Sequence, residues 1–156
     1  MNTYSFDVNA VAGLIKRAGR AVMDVYAQDF AVYEKDDASP VTEADMGAEK
    51  IIFEGLQAFT PDIPVVGEEH VAAGETGDLT RECFWLVDPV DGTADFVKKN
   101  GEFTVNIALI KGDSPVFGAV LAPVSETLFY TASPTRAVME KDGKTSYVFR
   151  PFSYSL

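Results

Sequence analysis

Five carboxylates sit in apolar, turn-rich segments where solvation alone does not explain them: Asp45, Glu68, Glu69, Asp88 and Asp91. Asp88 and Asp91 flank Pro89-Val90 and precede Gly92-Thr93. A turn that brings both carboxylates together is unfavourable unless a cation offsets their repulsion. A divalent ion would do so, and the Val90 carbonyl would point into the same space as a third oxygen ligand. Gly92 permits close backbone approach. The N–H groups of Gly92 and Thr93 would open a short helix toward Phe96, and helix starts bind phosphate well. The same residues also fit an Asx-type turn followed by a helix cap, so residue types leave both readings open.

The remaining polar groups have competing roles. Glu68 follows Gly67 and can reach the same cluster, as a metal ligand or as the base for an attacking water. Glu69 is a second carboxylate there or a solvated neighbour. Asp45 is a third contributor or simply the capping carboxylate of its helix. Thr93 can fix a water in line with a phosphorus, a geometric use of a hydroxyl that is a poor base by itself. Lys35 can offset phosphate charge or lie exposed. His70 can serve as a base but reads equally as a turn residue, and Cys83 and Trp85 read as core.

Bulk properties narrow the chemistry. One cysteine and one histidine exclude a disulfide framework and a Cys/His zinc site. A metal here must be held by oxygen, which favours magnesium, manganese or calcium. A net charge of -11 and a pI near 4.4 leave no basic face for a nucleic-acid polymer. No transmembrane run and no signal peptide pattern is present in the sequence, so the expected address is cytoplasmic.

The elements that must position these groups are legible in outline. Val8, Val11, Ala12, Ile15, Ala18, Val22 and Val25 predict an amphipathic helix over 8–26, capped by Asp7. Residues 34–40 read as a polar connection. Thr42-Glu43-Ala44-Asp45 resembles a capping box for a second helix, stopped by Pro61. Strands are expected at 63–66, 84–87, 103–110, 116–121 and 127–131, the last three as an antiparallel meander. Beyond 131 the periodicity is weak, with one further strand at 147–149. The fold class is therefore α+β, a helix pair packed on a mostly antiparallel sheet whose other face has no obvious cover.

Three segments together resemble the inositol monophosphatase superfamily: Ser39-Pro40-Val41-Thr42-Glu43-Ala44-Asp45, Gly67-Glu68-Glu69, and Trp85-Leu86-Val87-Asp88-Pro89-Val90-Asp91-Gly92-Thr93. Within it, residues 99–110 are most similar to bacterial 3'(2'),5'-bisphosphate nucleotidases. The resemblance implies the N-terminal half of the sugar-phosphatase fold over residues 1–131, with 132–156 as an atypical tail and the second domain absent. It implies two or three magnesium ions, with manganese as a substitute. Glu68, Asp88 and the Val90 carbonyl match the ligands of one metal, Asp88 and Asp91 those of a second, and Asp45 that of a looser third. Glu68 and Thr93 match the pair that positions the attacking water, making Glu68, Thr93 and Asp45 the catalytic candidates. Gly92, Thr93 and Asp91 are the substrate-binding ones.

The implied activity is removal of the 3'-phosphate of adenosine 3',5'-bisphosphate to give AMP, in sulfur metabolism, with sensitivity to lithium. An inositol or sugar phosphate monophosphatase is the second expectation. A truncated domain that binds metal and phosphate without catalysis is the third. A homodimer, a missing C-terminal domain, or the aromatic residues Tyr147, Phe149, Phe152 and Tyr154 of the tail would cover the open sheet face.

Overall fold

The computed structural model describes residues 5–74 and 81–149. Its first helix, α1 (Val8–Tyr26), starts where Asp7 accepts a hydrogen bond from the Asn9 N–H at 2.9 Å. The apolar stripe read from the sequence is its buried face. A hairpin of β1 (Val32–Glu34) and β2 (Pro40–Thr42) leads into α2 (Glu43–Phe59). Thr42 and Asp45 close the capping box reciprocally. The hairpin encloses what the sequence reads as a polar connection, because its strands are only three residues long and neither alternates, β1 being exposed throughout.

The main sheet orders as β3 (Val65–Gly67), β4 (Cys83–Asp91), β5 (Thr104–Lys111), β6 (Ser114–Ala122), β7 (Thr127–Ser133), β8 (Arg136–Lys141) and β9 (Lys144–Phe149). Every pair is antiparallel except β3 with β4, which run parallel. Two short helices, α3 (Glu68–Ala72) and α4 (Thr93–Val97), leave the ends of β3 and β4. Helices α1 and α2 share one core with the inward residues of the strands, among them Trp85, Val87, Val105, Ile107, Phe117 and Leu121. Phe6 packs edge-on against both Trp85 and Phe117. The Trp85 indole N–H donates to Thr60 Oγ1 at 2.9 Å, so this large side chain is buried without an orphaned donor. On the other face Leu86, Val120 and Phe129 stay exposed.

Two differences from the sequence reading have clear causes. The strand expected to stop at Val87 runs on to Asp91, with a register shift between Asp88 and Asp91. Pro89 sits inside that irregularity, where its missing N–H costs no ladder bond. Past residue 131 the chain forms β8 and β9, not one short strand. Val138 is the one buried side chain of β8, so the alternation that would signal a strand is faint. The expected strand at 147–149 lies within β9, and the tail residues Phe152 and Tyr154 lie outside the described residues.

Candidate metal and phosphate centre

Parallel pairing builds the site. Gly67 stands beside Val87 in register, so Glu68 leaves the end of β3 next to Asp88, which stays in β4. In an even strand Asp88 and Asp91 would point to opposite faces. Here Asp88 pairs with Asn106 and Asp91 with Thr104, three residues on one strand against two on the other. The extra residue restores the same side for both carboxylates. Asn106 confirms it from the facing strand, donating through Nδ2 to Asp91 Oδ2 at 3.3 Å.

The electrostatics follow from the crowding. Burial, then the Glu68 hydrogen bond and charge, then the charges of Asp91 and Asp45, push the Asp88 carboxyl from 3.8 up to about 7. Asp88 Oδ1 is buried and has no hydrogen-bond donor. An orphaned acceptor oxygen among repelling carboxylates lacks a positive partner. These residues therefore fit a hard divalent cation: all donors are oxygens, and Val90 adds a carbonyl. Among the described residues, however, no three carboxylate, imidazole or thiol groups form a ready-made ligand shell. Glu68 is also bonded to Lys35, and Asp45 to Thr42 and Thr93.

Asp45 is buried under two threonines. Its Oδ2 accepts from the Thr42 hydroxyl at 2.7 Å and the Thr42 N–H at 2.8 Å. Its Oδ1 lies 3.0 Å from the Thr93 hydroxyl oxygen, which is also 2.9 Å from the Val90 carbonyl oxygen and has one proton to give. Burial raises the Asp45 carboxyl against the opposing effect of these hydrogen bonds. Thr93 is thus tied to Asp45, whereas Glu68 turns to Lys35.

Lys35 Nζ reaches Glu68 at 2.9 Å and Glu69 at 2.8 Å. Burial works against its charge, but hydrogen bonds to Glu69 and Glu68 outweigh it and hold the ammonium above its ordinary value. Glu69 is not a solvated bystander: its side chain is 12% exposed, and burial raises its carboxyl against the pull of Lys35. The sequence-predicted residues Asp45, Glu68, Asp88, Val90, Asp91 and Thr93 converge on this one end of the sheet. Gly92 makes the turn there, in the left-handed region at φ 90°. Cys83 is half-buried, with its thiol raised by burial, and stands at the far end of β4 from Asp88.

One residue escapes the sequence reading altogether. Glu49 lies buried in α2, bonded to the backbone of Glu69 and His70. The signal was present: Glu49 follows Asp45 by four residues and shares the apolar stripe of Ala48, Ile52 and Leu56, where an exposed carboxylate has no place. His70 is neither free base nor loose turn residue, since its ring contacts Glu49 and stacks on Phe53.

Residues 5–151, including β8 and β9, match the inositol monophosphatase family. Over 124 residues the chain is 50% identical to the 3'(2'),5'-bisphosphate nucleotidase CysQ of Salmonella typhimurium, covering 78% of this chain and 50% of that protein. The crystal structure of CysQ from Bacteroides thetaiotaomicron, a bacterial member of the same family, is 33% identical, with a TM-score of 0.66 over 85% of this chain and 48% of that one. That of extragenic suppressor protein suhB from Bartonella henselae is 27% identical, with a TM-score of 0.68 over 91% and 52%. The chain spans about half the length of the curated relatives it matches.

Proposed function

The chain belongs to the inositol monophosphatase family, and on that footing we propose that it carries the carboxylate side of a magnesium-dependent phosphomonoesterase site. Its substrate is adenosine 3',5'-bisphosphate, cleaved at the 3'-phosphate to give AMP. The observation that carries the metal reading is the buried, donorless Oδ1 of Asp88 beside Glu68 and Asp91. The nucleotide reading draws on the similarity to CysQ over most of the chain.

Asp88, Glu68, Asp91 and the Val90 carbonyl would hold magnesium, with Asp45 nearby. The chemistry that magnesium supplies when bound is neutralisation of phosphate charge and a lower pKa for the attacking water. The chain's own residues supply position and proton handling. Thr93 donates its one proton to Asp45 or Val90, which leaves its lone pairs to accept from a water. Asp45, fixed by Thr42, sets the direction of that hydroxyl. Lys35 balances the charge of Glu68 and Glu69 in this arrangement.

The test is phosphate release from adenosine 3',5'-bisphosphate by the purified chain, with magnesium, with and without lithium, and with Asp88→Asn as control. Release that requires magnesium and Asp88 supports the reading. Faster release from inositol 1-phosphate transfers it to a sugar phosphatase. Magnesium binding without release from either leaves a metal- and phosphate-binding domain.

A further inference from the structure

Helix α3 presents Glu68 and Glu69, yet its N-cap, Gly67, has no side chain to offer the open N–H groups of the first turn. Those groups are capped from α2. Glu49 accepts from the Glu69 N–H through Oε2 at 2.9 Å and from the His70 N–H through Oε1 at 2.9 Å. His70 Nδ1 also contacts Oε1, with the imidazole stacked on Phe53, four residues along α2 from Glu49. Glu49 is 1% exposed. A carboxylate buried to that degree is costly unless both oxygens meet donors, and here both do.

Gly67 is shaped to the same purpose. Its backbone, at φ -111° and ψ 151°, is one that any residue adopts. A Cβ there, however, would lie 2.5 Å from Glu49 Oε1 and 2.6 Å from Oε2. The glycine leaves room for that carboxylate, which any Cβ would push aside, and serves no special backbone conformation. Asp45 and Glu49 stand four apart on one face of α2, so a single helix braces both the Asp45–Thr93 pair and the Glu68 turn.

We propose that Glu49 is a positioning residue of the site: its buried carboxylate fixes the first turn of α3, and with it the direction in which Glu68 faces Asp88. Gly67 is glycine to admit it. The consequence for metal binding rests on the proposed function, whereas the capping geometry does not.

Magnesium affinity of the chain, by titration calorimetry, is the first readout. Glu49→Gln keeps the volume but sets an amide N–H₂ against a backbone N–H. It is expected to weaken magnesium binding by about tenfold or more, as loss of a residue that orients a ligand does. Gly67→Ala should do the same by displacing the carboxylate. The double variant Glu49→Ala, Gly67→Ala should bind no more weakly than Glu49→Ala alone, because the three atoms nearest the added methyl all belong to the Glu49 carboxylate that is then gone. Ile52→Val, a core change on the same helix, should lower Tm and leave magnesium affinity unchanged. Wild-type affinity in Glu49→Gln, or additive losses in the double variant, would overturn the proposal. If Glu49→Gln does not fold, Gly67→Ala carries the same comparison. Amide exchange gives a readout that needs no metal: the Glu69 and His70 amides should lose protection in Glu49→Gln, and unchanged protection sinks the idea. If the wild-type chain binds no magnesium at all, the metal reading fails, and amide exchange alone decides the role of Glu49.

Discussion

Asp88 and Asn106 face each other across β4 and β5, and each keeps one buried oxygen with no hydrogen-bond donor. Asn106 turns its N–H₂ to Asp91, and no donor reaches Asp88 Oδ1. The pair thus gathers acceptor oxygens without donors, an arrangement that a cation relieves.

Asn106→Asp should deepen that deficit. A like charge directly opposite Asp88 is expected to destabilise the cation-free chain by about 1 kcal/mol. Added magnesium should recover the loss. Urea denaturation with EDTA and with magnesium tests this, and equal losses in both conditions would argue against a cation between these strands.

Asp88 binds a proton more tightly in the folded chain, at about 7 against 3.8 for the free side chain. Between those values the folded state holds more protons than the unfolded one. The stability this supplies is therefore full at low pH and lost as pH rises through about 7. Asp88→Asn removes the titration. Without divalent cations at pH 8 the variant should be the more stable by about 1–2 kcal/mol, less than the full shift is worth because water still reaches part of this half-buried site. The gap should shrink at pH 5. Magnesium should stabilise the wild type and not the variant, so the order of the two should reverse. Thermal melts at both pH values read all three outcomes.

Thr93→Val keeps the shape and removes the hydroxyl. Asp45 Oδ1 then loses its donor while Oδ2 keeps both contacts from Thr42. The stability loss should be about 1–2 kcal/mol, the cost of one unsatisfied buried acceptor. If the chain releases phosphate, the rate should fall by about a hundredfold or more, well beyond what that loss of stability explains. A variant that melts lower yet turns over at the wild-type rate would remove Thr93 from the proposed chemistry.

Much of this site was legible because it lies on regular signals. Asp45 stood in a capping box, so the helix start could be located, and Asp88 followed an apolar run that marked the strand, though not its end at Asp91. The juxtaposition of Glu68 with Asp88 was harder to see. It depends on the single parallel pairing in an otherwise antiparallel sheet, and three residues of β3 carry too little pattern to announce it. The shared side of Asp88 and Asp91 needs a register shift that no residue type specifies alone. The partner of Lys35 was invisible for a different reason: Glu68 and Glu69 lie more than thirty positions away, and only the packed fold brings them to its ammonium. Glu49 was the one omission that pattern could have repaired, since a carboxylate inside an apolar stripe asks for a buried partner.

Gly92 and Gly47 separate two uses of glycine. Gly92 ends β4 at φ 90°, and a Cβ there would lie 2.9 Å from the Glu102 carbonyl oxygen. Gly92→Ala must therefore strain the turn or push back the backbone of β5's approach, at a cost of about 1–3 kcal/mol. It should also weaken phosphate binding, because the turn carries Asp91 and Thr93 on either side. Gly47 lies inside α2 with nothing within 4 Å of its added Cβ. Gly47→Ala should stabilise the chain by about 0.5–1 kcal/mol, through helix propensity alone. Melting temperatures of the two variants, with phosphate or tungstate titrated into each, check the contrast. Equal behaviour of the two would mean that the turn at Gly92 is not what holds the site together.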